Sequence, residues 1–109
     1  MLFSMIARFW RGVTPRLKAD EYFEYLKKTG LKEYESTEGN RGVYVFRRME
    51  NDRAVFLLMS LWDSYDAIKK FAGPDFEKAV YYPEDKNFLL ELEPNVVHYE
   101  ILAQPSTSR

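Results

Sequence analysis

Six side chains in this 109-residue chain have the chemistry to recognise or transform a small molecule: Arg8, Ser60, Trp62, Phe71, Tyr82 and His98. His98 is the sole histidine, the one side chain that exchanges a proton near neutral pH without a large shift. Trp62 and Phe71 offer flat apolar surface, and a buried indole N–H needs a partner. Arg8 is an anion partner. Tyr82 belongs to Tyr81-Tyr82-Pro83-Glu84-Asp85, a loop with the composition of a pocket lid. Four of them have a plainer alternative. Trp62 packs a strand end, Arg8 pairs with Glu100, His98 is a hydrogen-bonded or exposed edge-strand histidine, and the tyrosines pack down on the core.

The elements that must carry these residues follow from hydrophobic pattern. Residues 4–13 read as a strand that Thr14-Pro15 stops, with Thr14 a helix cap and Pro15 in the first turn. Over 17–29, Ala19, Tyr22, Phe23 and Leu26 recur at helical spacing, and Gly30 terminates the run. Residues 31–40 have no clean period. Residues 42–49 read as a strand, Asn51-Asp52 as a hairpin turn, and 54–62 as a strand apolar on both sides. Asp63-Ser64 caps a helix carrying Ala67, Ile68 and Phe71, which Gly73-Pro74 ends. Helical turns are expected within 75–80 and 86–92, and a last strand over 96–102.

Strand, helix, strand, strand, helix, strand is the ferredoxin-like βαββαβ order of an α+β domain, with the first and third strands central in a four-stranded antiparallel sheet. Two helices cover one face of such a sheet. In the third strand, Val55, Leu57, Met59 and Leu61 point one way and Phe56, Leu58, Ser60 and Trp62 the other, so neither face is polar. The uncovered face calls for a second copy, and a homodimer through the open sheet face is the simplest closed solution. Arg8, Ser60, Trp62 and His98 share even parity on three strands, which would gather them on one face.

Met5-Ile6-Ala7-Arg8-Phe9-Trp10-Arg11-Gly12, Lys18-Ala19-Asp20-Glu21-Tyr22, Leu61-Trp62-Asp63-Ser64 with Ala67-Ile68 and Phe71-Ala72-Gly73, and Val97-His98-Tyr99-Glu100 together resemble the antibiotic-biosynthesis-monooxygenase-like family. The resemblance spans residues 5–102 and implies a dimeric α+β barrel. It implies a cavity between sheet and helices where Trp62 helps hold or distort a flat aromatic substrate. From parity and residue chemistry, Arg8, Ser60, Phe71 and Tyr82 are the expected substrate-binding neighbours and His98 is the other catalytic candidate. Haem-degrading relatives carry a His in a Phe-x-x-Ala-His run and an Asn in the first strand. Here Phe76-Glu77-Lys78-Ala79-Val80 ends in Val80 and the strand reads Arg8-Phe9-Trp10, so haem is not an expected substrate.

Composition narrows the classes further. With 16 basic and 17 acidic residues, the net charge of −1 gives no basic face for nucleic acid. No apolar run reaches the roughly 20 residues of a membrane span, and the start lacks a signal-peptide pattern. A cytoplasmic protein is expected. One His, no Cys and scattered carboxylates supply no metal-ligand spacing. The sequence therefore suggests one domain over 1–103 with a flexible tail at 104–109. Its expected function is a cofactor-independent monooxygenase acting on a small aromatic or quinone-like molecule. The alternatives are a non-catalytic small-molecule-binding or stress-related homodimer, and a structural dimerisation module.

Overall fold

The computed structural model describes residues 5–105, so the polar tail expected at 104–109 falls largely outside them. Strands β1 (Met5–Pro15), β2 (Asn40–Glu50), β3 (Arg53–Trp62) and β4 (Val97–Ile101) form one antiparallel sheet in the order β2-β3-β1-β4. The central pair is therefore β1 and β3, as right-handed crossovers require. Helices α1 (Ala19–Lys28), α2 (Gly30–Ser36), α3 (Tyr65–Ala72) and α4 (Asp85–Phe88) complete the chain.

Alternation sets the two faces. Along β3, Ala54, Phe56, Leu58, Ser60 and Trp62 are buried, while Val55, Leu57, Met59 and Leu61 are half-buried. The first set packs against Tyr22 and Leu26 of α1, Tyr34 of α2 and Ile68 of α3. The hairpin turn is Asn51-Asp52, with Asn51 at φ 57° and Glu50 paired with Arg53. Ser64 caps α3 by accepting the Ala67 N–H at 3.1 Å. Gly39, at φ 92°, lies so close to α3 that a Cβ there would meet the Ala67 Cβ at 2.4 Å.

Four local expectations change. Thr14 and Pro15 continue β1, since Thr14 is fully buried in the sheet and its hydroxyl donates to the Pro15 carbonyl instead of capping a helix. The first long helix breaks at Thr29, whose hydroxyl turns back to the Tyr25 carbonyl, and Gly30 opens α2 rather than ending α1. Residues 75–80 form no helix, because the 94–96 segment takes their backbone groups: Ala79 N–H donates to Pro94 O and Val96 N–H to Glu77 O, both at 2.9 Å. Within 86–92, helix is confined to α4, which begins at Asp85.

The face away from the helices carries the apolar surface that the alternation foretells. Phe9, Leu57, Met59 and Leu61 at its centre are flanked by Tyr44 (57% exposed) and Phe46 (47%) on one edge and Val97 (52%) and Tyr99 (59%) on the other. No helix among the described residues is long and apolar enough to cross a membrane.

Candidate functional site

Register turns the even parity into contact. Arg8 sits opposite Ser60 on β3 and opposite His98 on β4, and Ile6 sits opposite Trp62. These side chains share the helix-covered face. Arg8 is 1% exposed. One terminal nitrogen donates to the Phe76 carbonyl at 2.5 Å and lies 3.0 Å from His98 Nε2; the other donates to the Lys78 carbonyl at 3.0 Å. Its Nε finds no partner. Glu100 stands opposite Ile6 and is exposed, so it does not neutralise Arg8. Among the described residues no carboxylate does. Burial accordingly lowers the Arg8 pKa.

That contact fixes the state of His98. A guanidinium only donates, so His98 Nε2 must be a bare lone pair and the neutral ring carries its proton on Nδ1. Burial and the adjacent Arg8 charge push the His98 pKa down to about 4. The ring also meets Phe76 at 5.3 Å and Tyr65 at 5.9 Å between centroids.

Trp62 is fully buried, and its indole N–H donates to Ser60 Oγ at 2.9 Å. It stands one layer behind Tyr34 (6.1 Å between centroids) and Phe71 (5.7 Å). Those two rings face a cavity under the helices, together with Trp10, Val80, Tyr82 and Asp85. Of the sequence candidates, Phe71 and Tyr82 line this cavity directly, while Arg8, Ser60 and Trp62 support its Tyr34 wall. His98 faces a separate groove at the β4 edge. Val80, where a haem-degrading relative would place its His, offers the cavity only methyl groups.

Three residues of the cavity were not singled out from sequence. Trp10 is buried with its indole N–H unpartnered, and its benzo ring lies over Gly12, where a Cβ would meet Trp10 Cη2 at 2.4 Å. Its even parity with Arg8 was the available signal. Tyr34 lies in the segment without a clean period; its hydroxyl sits against Ser60 and Arg8, and burial raises its pKa even though Arg8 opposes the shift. Asp85 is 3% exposed and accepts from the Tyr22 hydroxyl at 2.9 Å and the Tyr82 N–H at 2.6 Å. Burial raises its pKa against those two bonds.

The cavity thus has a carboxylate on one side and, behind Tyr34, a buried cation on the other. Such an arrangement can take a proton at Asp85 and favour negative charge near Tyr34. The open volume is about 20 Å³, room for one water-sized molecule. The ring of Tyr82 closes it against Gly30, and its hydroxyl donates to Glu33 at 2.6 Å. Among the described residues no three His, Cys, Asp or Glu side chains converge as a metal site.

No family model and no curated protein matches the chain. Solved structures do. A Bacillus cereus protein provisionally named an antibiotic biosynthesis monooxygenase matches at TM-score 0.64 and 15% identity, over 95% of this chain and 99% of that one. A protein of unknown function from Nitrosomonas europaea matches at TM-score 0.61 and 12% identity, over 98% of each chain. The Mycobacterium tuberculosis protein Rv0793 matches at TM-score 0.56 and 16% identity, over 96% of this chain and 100% of that one. What these proteins share with the chain is the fold, a ferredoxin-like α+β fold with a four-stranded antiparallel sheet.

Proposed function

We propose that the protein is a homodimer, closed through the open face of its sheet, that oxygenates a small aromatic or quinone-like molecule on the helix side without metal or haem. The observation that carries this reading is the aromatic cavity lined by two residues with unusual polar groups, Trp10 with its unpartnered indole N–H and Asp85 with its buried carboxylate. A monooxygenase-like fold supports it.

The chemistry asks little of the protein. A ring CH2 beside a phenol or carbonyl reacts with dioxygen to give a ring carbonyl and water; the substrate supplies all the electrons, and one oxygen atom stays on carbon. Asp85 takes the proton that leaves the ring carbon, its raised pKa making it a better base than an exposed carboxylate. Arg8, acting through Tyr34, favours the resulting anion. The ring enters when Tyr82 releases Glu33 and swings outward. The apolar open face, with Tyr44, Phe46, Val97 and Tyr99 exposed, supports the dimer.

The small volume of the closed cavity favours a second reading, a structural dimerisation module with no ligand on the helix side, and binding without turnover stands between the two. Anthrone separates the three. Under dioxygen the oxygenase yields anthraquinone and water faster than buffer alone, and Asp85→Asn slows it; a binder quenches tryptophan fluorescence on anthrone addition with no extra oxygen uptake. Neither quenching nor uptake would remove the ligand reading altogether.

A further inference from the structure

The second open space lies outside the helix-side cavity, at the β4 edge. A groove of about 440 Å³ runs between the start of α3 and the 95–98 segment, with Tyr65, Phe76 and His98 along it and Glu77 and Asn95 at its side. Tyr65 and Phe76 are 5.4 Å apart between centroids. The Nζ of exposed Lys69 already sits 5.6 Å from the Phe76 centroid, which brings a cation to the rim.

The groove also has a polarised donor. His98 Nε2 is held by Arg8, so the ring must keep its proton on Nδ1. Nδ1 has no hydrogen-bond partner among the described residues and is not sealed from solvent. Behind it stands a whole positive charge with no carboxylate facing it. A buried cation is costly without a counter-charge, and His98 is the side chain that both touches Arg8 and lines the groove. We propose that the groove is a binding site for a small planar aromatic carboxylate, its anion accepting the His98 Nδ1–H, its ring lying against Tyr65 and Phe76, and Lys69 at its rim. Glu77 is the one acidic side chain at the groove and is exposed, free to turn toward water.

Naphthoate is the probe, and the single histidine is the reporter. Titrated into the intact 109-residue chain at neutral pH, naphthoate shifts the His98 imidazole resonances saturably, while neutral naphthamide binds at least roughly tenfold more weakly, as loss of a charge-assisted bond implies. Lys69→Gln, a surface change that leaves the fold intact, weakens naphthoate severalfold and leaves naphthamide unchanged. His98→Phe removes the donor and cuts the preference for the acid to the severalfold that Lys69 supplies; should that variant not fold, the Lys69→Gln and naphthamide comparisons still decide. Unmoved His98 resonances, or equal affinity for acid and amide, would overturn the proposal. Anthrone reports on the helix-side cavity through tryptophan, so either site can fail without the other.

Discussion

Acidification should cost this protein stability through His98, and the size of the loss follows from its bond to Arg8. An imidazole in the unfolded chain binds a proton below about pH 6.5. In the folded chain a second positive charge 3.0 Å from Arg8 is resisted, and protonation waits until about pH 4. Between those values the unfolded state holds more protons, so stability falls as pH drops from about 6.5 to about 4 and levels off below. The full shift corresponds to about 3 kcal/mol. His98 is partly open to solvent, and screening reduces that to about 1–2 kcal/mol, or about 5–10 °C in melting temperature for a domain of this size. Asp85 acts with the opposite sign, because a carboxyl whose pKa is raised by burial favours the folded state in acid. The comparison is therefore wild type against His98→Gln, which keeps an acceptor for Arg8 but cannot titrate. Urea melts at pH 7 and at about pH 4.5 should show the wild type losing about 1–2 kcal/mol more than the variant. Equal losses, or a His98 NMR titration near the ordinary value, would refute the contact.

Leu57→Asp should convert the proposed dimer to folded monomer by sedimentation, because Leu57 lies on the open face, whereas Leu58→Asp, placed in the core, should unfold the chain. Trp62→Phe should cost about 1–3 kcal/mol in denaturant melts through lost volume and the lost bond to Ser60. Tyr82→Phe removes the hydroxyl held by Glu33 and should speed anthrone association in stopped flow; Glu33→Gln should act the same way more weakly. Arg8→Met, which removes an unneutralised buried charge, should raise rather than lower the His98 pKa.

Much of this was legible because β-strand alternation is strict. Even positions on β1, β3 and β4 had to share a face if the strands paired, and Arg8, Ser60, Trp62 and His98 do. The apolar character of both faces of β3 likewise pointed to an uncovered face. Arg8 shows where strand pattern stops being informative. Its partners are main-chain carbonyls of Phe76 and Lys78, in a segment whose path is set by pairing with residues 94–96, and main-chain acceptors have no side-chain signature. Tyr34 was hidden in a stretch lacking periodicity because α2 is only seven residues long. Asp85 stood out only as one of two acids in the 81–85 loop; it is buried against Tyr22, 63 positions away, a pairing that local sequence does not reveal.

The central claim, that a small aromatic molecule binds on the helix side, is tested most directly by the two indole N–H signals in a nitrogen-15 correlation spectrum. Trp10 lines the cavity and its indole N–H has no partner, and Trp62 donates to Ser60 one layer behind. Anthrone added to uniformly labelled protein should give a large, saturable shift of the Trp10 signal and a smaller one for Trp62. Both indole signals staying fixed at saturating anthrone would contradict that claim.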